Sequence, residues 1–274
     1  MATTRRQFLR DIGLATAALA LPAPALADDG FVTERLELAL PGLHPGHDGI
    51  RIAQLSDIHV GAHTPEPLIL AALEAARRFE PDLVFLTGDF VTRHDHEVGR
   101  AREILGGLPG PTFAVLGNHD HWVDGPATAA ALRANGYEVL ENAWTRVTVR
   151  GEPLAIVGVD DLLTRNADVP RAVKGLDEPA ALVLAHGPRT ADQLRHVGRP
   201  MACFSGHTHG GQIAVPIFTT LAFRLVKHEP YLRGRFGLGD VQLYVNRGLG
   251  LTSSFRLDSP PEVTLVTLRA ASAR

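Results

Sequence analysis

Seven side chains able to ligate a metal stand at the ends of five short apolar runs in this 274-residue chain. Gln54 to Ser56 leads to Asp57 and His59, and Val84 to Gly88 leads to Asp89. Ala114 to Gly117 leads to Asn118, followed by His119 and Asp120. Leu182 to Ala185 leads to His186, and Ala202 to Gly206 leads to His207 and His209. Asp57-x-His59 and His207-x-His209 each put two donors on one side of an extended backbone. Four imidazoles, two carboxylates and one amide form a mixed nitrogen and oxygen set, which suits Mn, Fe, Zn or Co better than Ca or Mg. A carboxylate can bridge two cations, and Asp89 lies between the two ligand groups in the chain. Two such ions ~3.5–4 Å apart acidify a shared water and clamp a phosphoryl oxygen.

Convergence of these groups needs a rigid frame, and ligands in α/β sheets gather beyond the carboxyl ends of strands. Strands are expected near 36–40, 50–55, 82–86, 112–116, 137–140, 146–149, 154–159, 181–185, 201–205, 241–245 and 263–268. Helices are expected over 66–79, 97–105 and from Pro126 to about Ala134, since proline suits a first helical turn. Alternation of strand and helix in the first half predicts parallel pairing, and the later strand clusters predict antiparallel additions. An α/β fold of the α+β type meets both demands: a four-layer α/β/β/α sandwich of two mixed β-sheets flanked by helices. Glycines 88, 117, 206, 210 and 211 leave room where the backbone turns beside the donors.

Composition narrows the class further. Hydrophobic residues make up 45% and charged residues 21%, enough for a sizeable core and unlike a disordered chain. The single Cys203 excludes an internal disulfide framework and a thiolate-rich zinc site, and it reads as a small buried hydrophobe. The N-terminus reads Thr4-Arg5-Arg6-Gln7-Phe8-Leu9, then a short apolar run and Ala25-Leu26-Ala27. These are the parts of a secretory signal peptide of the twin-arginine kind over residues 1–27, leaving one domain over 28–274. The whole chain carries a formal charge of −3, and losing Arg5, Arg6, Arg10 and Asp11 takes it to about −5. A mildly acidic body without a basic face excludes non-specific nucleic-acid binding.

The blocks Asp57-Ile58-His59, Gly88-Asp89, Gly117-Asn118-His119-Asp120, His186 and Gly206-His207-Thr208-His209, in this order, resemble the calcineurin-like metallophosphoesterase superfamily. Gly158 to Asp161, Gly206 to Gln212, Tyr244 to Gly250 and Pro260-Pro261-Glu262 are similar to its YkuE/YaeI-type branch. The resemblance implies two transition-metal ions (Mn, Zn, Fe or Co). Asp57, His59, Asp89 and His209 would hold one, and Asp89, Asn118, His186 and His207 the other. Asp89 and a hydroxide would bridge them, the hydroxide attacking a phosphodiester or phosphomonoester. His119 would protonate the leaving oxygen, with Asp120 orienting its ring.

Around this set, Arg93 and Arg247 are the candidates for binding substrate phosphate. His63, His94, His96 and His121 read equally as phosphate-reaching or as solvated loop residues. The apolar stretch Ile217, Phe218, Leu221, Phe223, Leu225 and Val226, with Tyr231 and Phe236 beyond it, predicts either a lipid-contacting cap or a segment packed on the second sheet. The expected enzyme is exported to the periplasm or another extracytoplasmic site, its partners being the twin-arginine translocase during export and a small phosphoester substrate. In one reading that substrate is linked to lipid or the cell envelope, with peripheral membrane contact. The alternatives are a pyrophosphatase acting on UDP-2,3-diacylglucosamine in lipid A synthesis, and a binding module that has lost catalysis.

Overall fold

A computed structural model describes residues 30–61, 63–212, 214, 218–225, 228–251 and 256–271. The expected signal peptide, 1–27, lies outside the described residues, as do Ile217 and Val226.

Two six-stranded sheets form the frame. The first contains β1 (Val32–Pro41), β2 (Arg51–Leu55), β3 (Leu83–Thr87), β4 (Thr112–Val115), β5 (Glu138–Val139) and β12 (Glu262–Ala271). Its spatial order is β1-β12-β2-β3-β4-β5. The second contains β6 (Ala143–Val149), β7 (Glu152–Val159), β8 (Ala181–Ala185), β9 (Met201–Ser205), β10 (Gly234–Leu238) and β11 (Val241–Val245). Its order is β10-β11-β9-β8-β7-β6. Both are mixed: β2, β3 and β4 run parallel, as do β7, β8 and β9, while β12 lies antiparallel to β2 and β6 antiparallel to β7.

Four of the five strands that carry the donors, β3, β4, β8 and β9, are fully buried, so both faces must be apolar and no alternation of polar residues is visible in them. Leu83 and Phe85 of β3 enter the core between the sheets, where Leu182, Leu184, Ala202 and Phe204 meet them. Phe85 stands edge-on to Phe113 and Phe204, with ring centroids 6.4 and 5.3 Å away. Burying each such ring stabilises by roughly 1.5–3 kcal/mol. Val84 and Leu86 turn the other way, into a core shared with α1 (Glu66–Arg78), α2 (His96–Ile104) and α3 (Asn118–Ala134). Val183, Met201 and Cys203 face α4 (Val169–Ala172) and α5 (Thr190–Leu194) across the second sheet. Four layers result. Burial pushes the Cys203 thiol up to about 12, as for an inert core residue.

Two local expectations change, and the donor-bearing strands prove to be divided between the sheets. The helix from Pro126 is preceded by a helical turn from Asn118, joined across a kink at Asp124 (φ −165°, ψ 92°). Asp124 Oδ1 accepts from Ala127 N at 2.9 Å and caps the second part, and the first turn was hidden because Gly-Asn-His-Asp reads as a loop. Strand β10 was missed because Gly234 and Gly237 dilute its pattern. The five donor-bearing strands do not form one row: three belong to the first sheet and two to the second.

Candidate metal centre

At the carboxyl ends of β2, β3, β4, β8 and β9 the chain turns sharply, and the donors sit on the turns. Asp57, His59, Asp89, His207 and His209 all have left-handed backbone, with φ of 50°, 48°, 55°, 71° and 51°. Each costs about 1 kcal/mol or more for a residue with a Cβ, so the packed sheets beneath must hold them there. Gly206 is required by close approach: a Cβ would lie 1.9 Å from Ser56 Oγ and 2.2 Å from Asp57 Oδ2.

The turns bring the donors into two groups that share one carboxylate. Asp57, His59, Asp89 and His209 form one, and Asp89, His186 and His207 the other, the donor atoms of each lying within 4.8 Å of one another. His209 Nε2 is 3.3 Å from Asp57 Oδ1 and 3.1 Å from His59 Nε2. His59 Nε2 is 3.6 Å, and His186 Nε2 3.2 Å, from the same Asp89 oxygen, Oδ2. His207 Nδ1 approaches His186 Nε2 to 3.2 Å. Asn118 Oδ1 is buried without a hydrogen-bond partner.

Surrounding groups hold the ring orientations. His186 Nδ1 lies 2.8 Å from Thr87 O, and His59 Nδ1 3.3 Å from Val91 O. An Nδ1–H donated to each carbonyl leaves the Nε2 lone pairs facing inward. Ser56 Oγ donates to Asp57 Oδ2 at 2.6 Å. The backbone N–H of His207 donates to both Asp57 oxygens at 3.0 Å.

Charge is arranged to suit cations. Burial alone would raise the carboxyls of Asp57 and Asp89, yet nearby imidazoles hold both below the ordinary carboxylate range. Burial pushes His59 down and His209 down to about 3, keeping them neutral. His186 moves up, because the adjacent Asp89 charge outweighs burial. Anionic carboxylates, imidazole lone pairs and an unpartnered amide oxygen, packed at 3.1–3.6 Å, are what transition-metal cations require, and the residues fit them.

Beside the donors, His119 lines a cleft of about 680 Å³ together with Trp122, Leu163, Arg165, Arg189 and Glu229. Its Nδ1 is 2.7 Å from Thr92 O, its backbone N–H donates to Asp89 Oδ1 at 2.8 Å, and its ring packs edge-on to His59. Asp120 does not orient that ring. Its two oxygens accept from the backbone N–H groups of Asp89, Phe90, Val91 and Gly117, at 2.8–3.2 Å. It clamps the Asp89 turn to the start of α3, and Thr92 O holds the His119 ring. Burial and the Asp89 charge together push the Asp120 carboxyl up to about 7, against those N–H bonds.

Neither arginine expected to bind phosphate lines the cleft. Arg247 is buried and ion-paired, Nε to Glu262 Oε2 at 2.6 Å and a second contact to Glu34. Arg93 is exposed beyond β3, its backbone N–H donating to Glu97 Oε2 at 2.8 Å. Arg165 and Arg189 take the cleft position instead. Neither was expected from the sequence, although Arg189 stands three residues beyond His186 at the end of β8.

Among the remaining histidines, His121 Nε2 is 2.7 Å from Asp160 Oδ1, His94 stacks on His96 at the surface, and His63 is exposed. Arg256 was also missed: its Nη2 reaches His209 Nδ1 at 3.1 Å. Tyr231 and Phe236 pack against the second sheet, whereas Leu221 and Leu225 on α6 (Phe218–Leu225) are exposed. Among the described residues no helix is long and apolar enough to cross a membrane.

Glu229 gives the cleft a pH-dependent stability. Burial pushes its carboxyl from 4.5 up to about 7, opposed by the Tyr231 N–H and by Arg189. A raised value means that its stabilising contribution is complete below about 4.5 and is lost as pH rises through about 7. Glu229→Gln keeps the acceptor for Tyr231 N and cannot ionise. Urea denaturation at pH 4.5 and 8 is expected to shift in favour of the variant, relative to wild type, by about 1–3 kcal/mol.

The calcineurin-like phosphoesterase family matches residues 50–211. The uncharacterized metallophosphoesterase YkuE of Bacillus subtilis (strain 168) is 30% identical over 98% of this chain and 99% of its own length. Phosphodiesterase YaeI of Escherichia coli (strain K12) is 32% identical over 80% of this chain and 82% of its own. The UDP-2,3-diacylglucosamine pyrophosphatase LpxG of Chlamydia trachomatis serovar D is 26% identical over 85% and 87%. With the matched segment running from the edge of β2 to the turn after His209, this chain belongs to the calcineurin-like phosphoesterase family and is a hydrolase of phosphoric ester bonds.

Proposed function

We propose that the chain is an exported phosphodiesterase that works with two transition-metal ions. The carrying observation is the sharing of Asp89 Oδ2 between His59 and His186, which joins the two donor groups through one carboxylate. Asp57, His59, Asp89 and His209 would hold one ion, and Asp89, Asn118, His186 and His207 the other. When bound, the pair supplies Lewis-acid charge for the phosphoryl oxygens and an acidified water.

The chain's own groups do the rest. The left-handed turns preset the donors, so little reorganisation is needed when the phosphoester arrives. Thr92 O anchors the His119 ring at Nδ1, leaving Nε2 to carry a proton to the leaving oxygen. Arg165 and Arg189 add positive charge along the cleft for a diester's anionic oxygens. The twin-arginine pattern of residues 1–27 supports export, and the phosphodiesterase activity named for YaeI supports a diester.

A second reading draws on LpxG, whose substrate is a diacylated sugar nucleotide pyrophosphate. Exposed Trp122 and Leu163 on the cleft would suit acyl chains. An exported enzyme would not meet a nucleotide-linked intermediate made in the cytoplasm, so the first reading is preferred. The third, a binding module without catalysis, would not need His119 held in the cleft.

Purified protein is expected to carry two ions per chain and to hydrolyse bis(p-nitrophenyl) phosphate. Chelation should remove both properties, and Mn, Zn, Fe or Co should restore them. Turnover persisting in chelated, metal-free protein would overturn the reading, and preference for UDP-2,3-diacylglucosamine over simple diesters would favour the second. Export has its own arm: Arg5→Lys with Arg6→Lys should hold the chain in the cytoplasm, and unchanged export would remove that part.

A further inference from the structure

The block Gly158-Val159-Asp160-Asp161 has no task in this scheme, and it opens the loop 160–168 that follows β7. That loop brings Leu163 and Arg165 to the cleft that His119 also lines. Both side chains are exposed, so burial does not hold them in place. Arg165 also has left-handed backbone, φ 65°, which persists for a residue with a Cβ only where the surroundings enforce it.

Hydrogen bonds do the enforcing. Asp161 Oδ2 accepts from Thr164 N at 2.7 Å, and the Asp161 carbonyl accepts from Asn166 N and Ala167 N at 3.1 Å. Asn142, just before β6, ties the two ends together: its Oδ1 accepts from Asp160 N at 3.0 Å and from Asp168 N at 2.9 Å. These bonds shape the loop but leave open where it stands relative to α3, the helix that carries His119.

The His121 ring, on the same turn of α3, makes that link. Asn166 Nδ2 donates to its Nδ1 at 3.3 Å, so the ring proton stands on Nε2 and is donated to Asp160 Oδ1 at 2.7 Å. Among the described residues no other hydrogen bond joins the loop to α3. The helix holds the ring from behind: a Cβ at Gly125 would lie 2.7 Å from His121 Nδ1. His121 itself does not line the cleft.

We infer that His121 is a positioning residue: it braces the loop 160–168 against α3 and so fixes Arg165 relative to His119. This role rests on the phosphodiesterase reading above, in which Arg165 meets an anionic oxygen and His119 the leaving oxygen. One diester must reach both groups, so their separation decides how well it binds.

The test measures kcat and KM for bis(p-nitrophenyl) phosphate with Mn²⁺-loaded full-length protein. Wild type is compared with His121→Ala, His121→Gln, Arg165→Ala and the double variant of His121→Ala with Arg165→Ala. His121→Ala should raise KM roughly tenfold, within the ~10²-fold that a misplacement of about 1 Å can cost, and keep kcat within about twofold. The turnover number should hold because Thr92 O anchors the His119 ring separately. Bound metal should stay at the wild-type level. His121→Gln, whose amide N–H can reach Asp160, should bring KM back to within about threefold of wild type. Arg165→Ala should raise KM at least as much as His121→Ala. Adding His121→Ala to it should change KM by less than about twofold, because the brace has nothing left to position.

An unchanged KM in His121→Ala, or a rise that persists in full on top of Arg165→Ala, would overturn the inference. So would a fall in bound metal, or equal losses in the alanine and glutamine variants, which mark a support of the helix alone. Wild type that hydrolyses no diester with Mn, Zn, Fe or Co would overturn the phosphodiesterase reading itself, and this role with it.

Discussion

Asp89→Asn is expected to leave a folded chain that binds at most one cation and turns over bis(p-nitrophenyl) phosphate at least ~10³-fold more slowly. The fold should survive because asparagine tolerates the left-handed φ of 55° at this position. Its side-chain oxygen can still accept the His119 N–H that Asp89 Oδ1 takes at 2.8 Å. What asparagine cannot do is present a second anionic oxygen to both His59 and His186. A tenfold loss in rate is about 1.4 kcal/mol, so the expected loss is about 4 kcal/mol of transition-state stabilisation. Metal analysis beside kinetics gives the check. Two ions retained with near-normal turnover would show that Asp89 does not join the two groups.

His119→Gln should give the second largest effect, of a different kind. General-acid help is worth ~10²–10⁴-fold, and the loss should appear in kcat while bound metal stays at the wild-type level. It should also depend on the leaving group. A p-nitrophenolate departs without a proton and should suffer least, whereas an alkoxide departing from an alkyl phosphodiester should suffer most. Equal losses on both substrates would remove the proton-donor role. Loss of metal would instead make the ring a support for His59, which it meets edge-on at 4.7 Å.

Much of this centre was legible in the chain before folding. A fully buried strand must be apolar on both faces, so LVFLT, ALVLA and MACFS announce themselves as short unbroken runs. The donors directly after them share the position where parallel strands end. The α3 turn at Asn118 was less visible, because its residues are polar and favour loops until β4 delivers them to a helix N-terminus. Strand β10 carries glycines and was not visible at all.

Side-chain partners were the least legible. The family resemblance made Asp120 the companion of the His119 ring, yet adjacent helical residues diverge and the Asp120 carboxylate meets the backbone of the β3 turn. Arg247 was a phosphate candidate because a guanidinium pairs bidentately with phosphate. Packing of β11 against the first sheet places Glu262 and Glu34 against it, and both outbid a transient ligand.

From its residues alone the chain determined which groups could ligate, that five apolar runs would present them, and that the chemistry would be hydrolytic and metal-dependent. The packed molecule decided that three of those runs stand in one sheet and two in the other. Contacts such as Asp57 with the His207 backbone, 150 positions apart, exist only because the two sheets close face to face. The reason is one of range. Burial periodicity is written in neighbours a few residues apart, whereas the pairing of one oxygen with one nitrogen depends on the angle and spacing at which two distant layers pack.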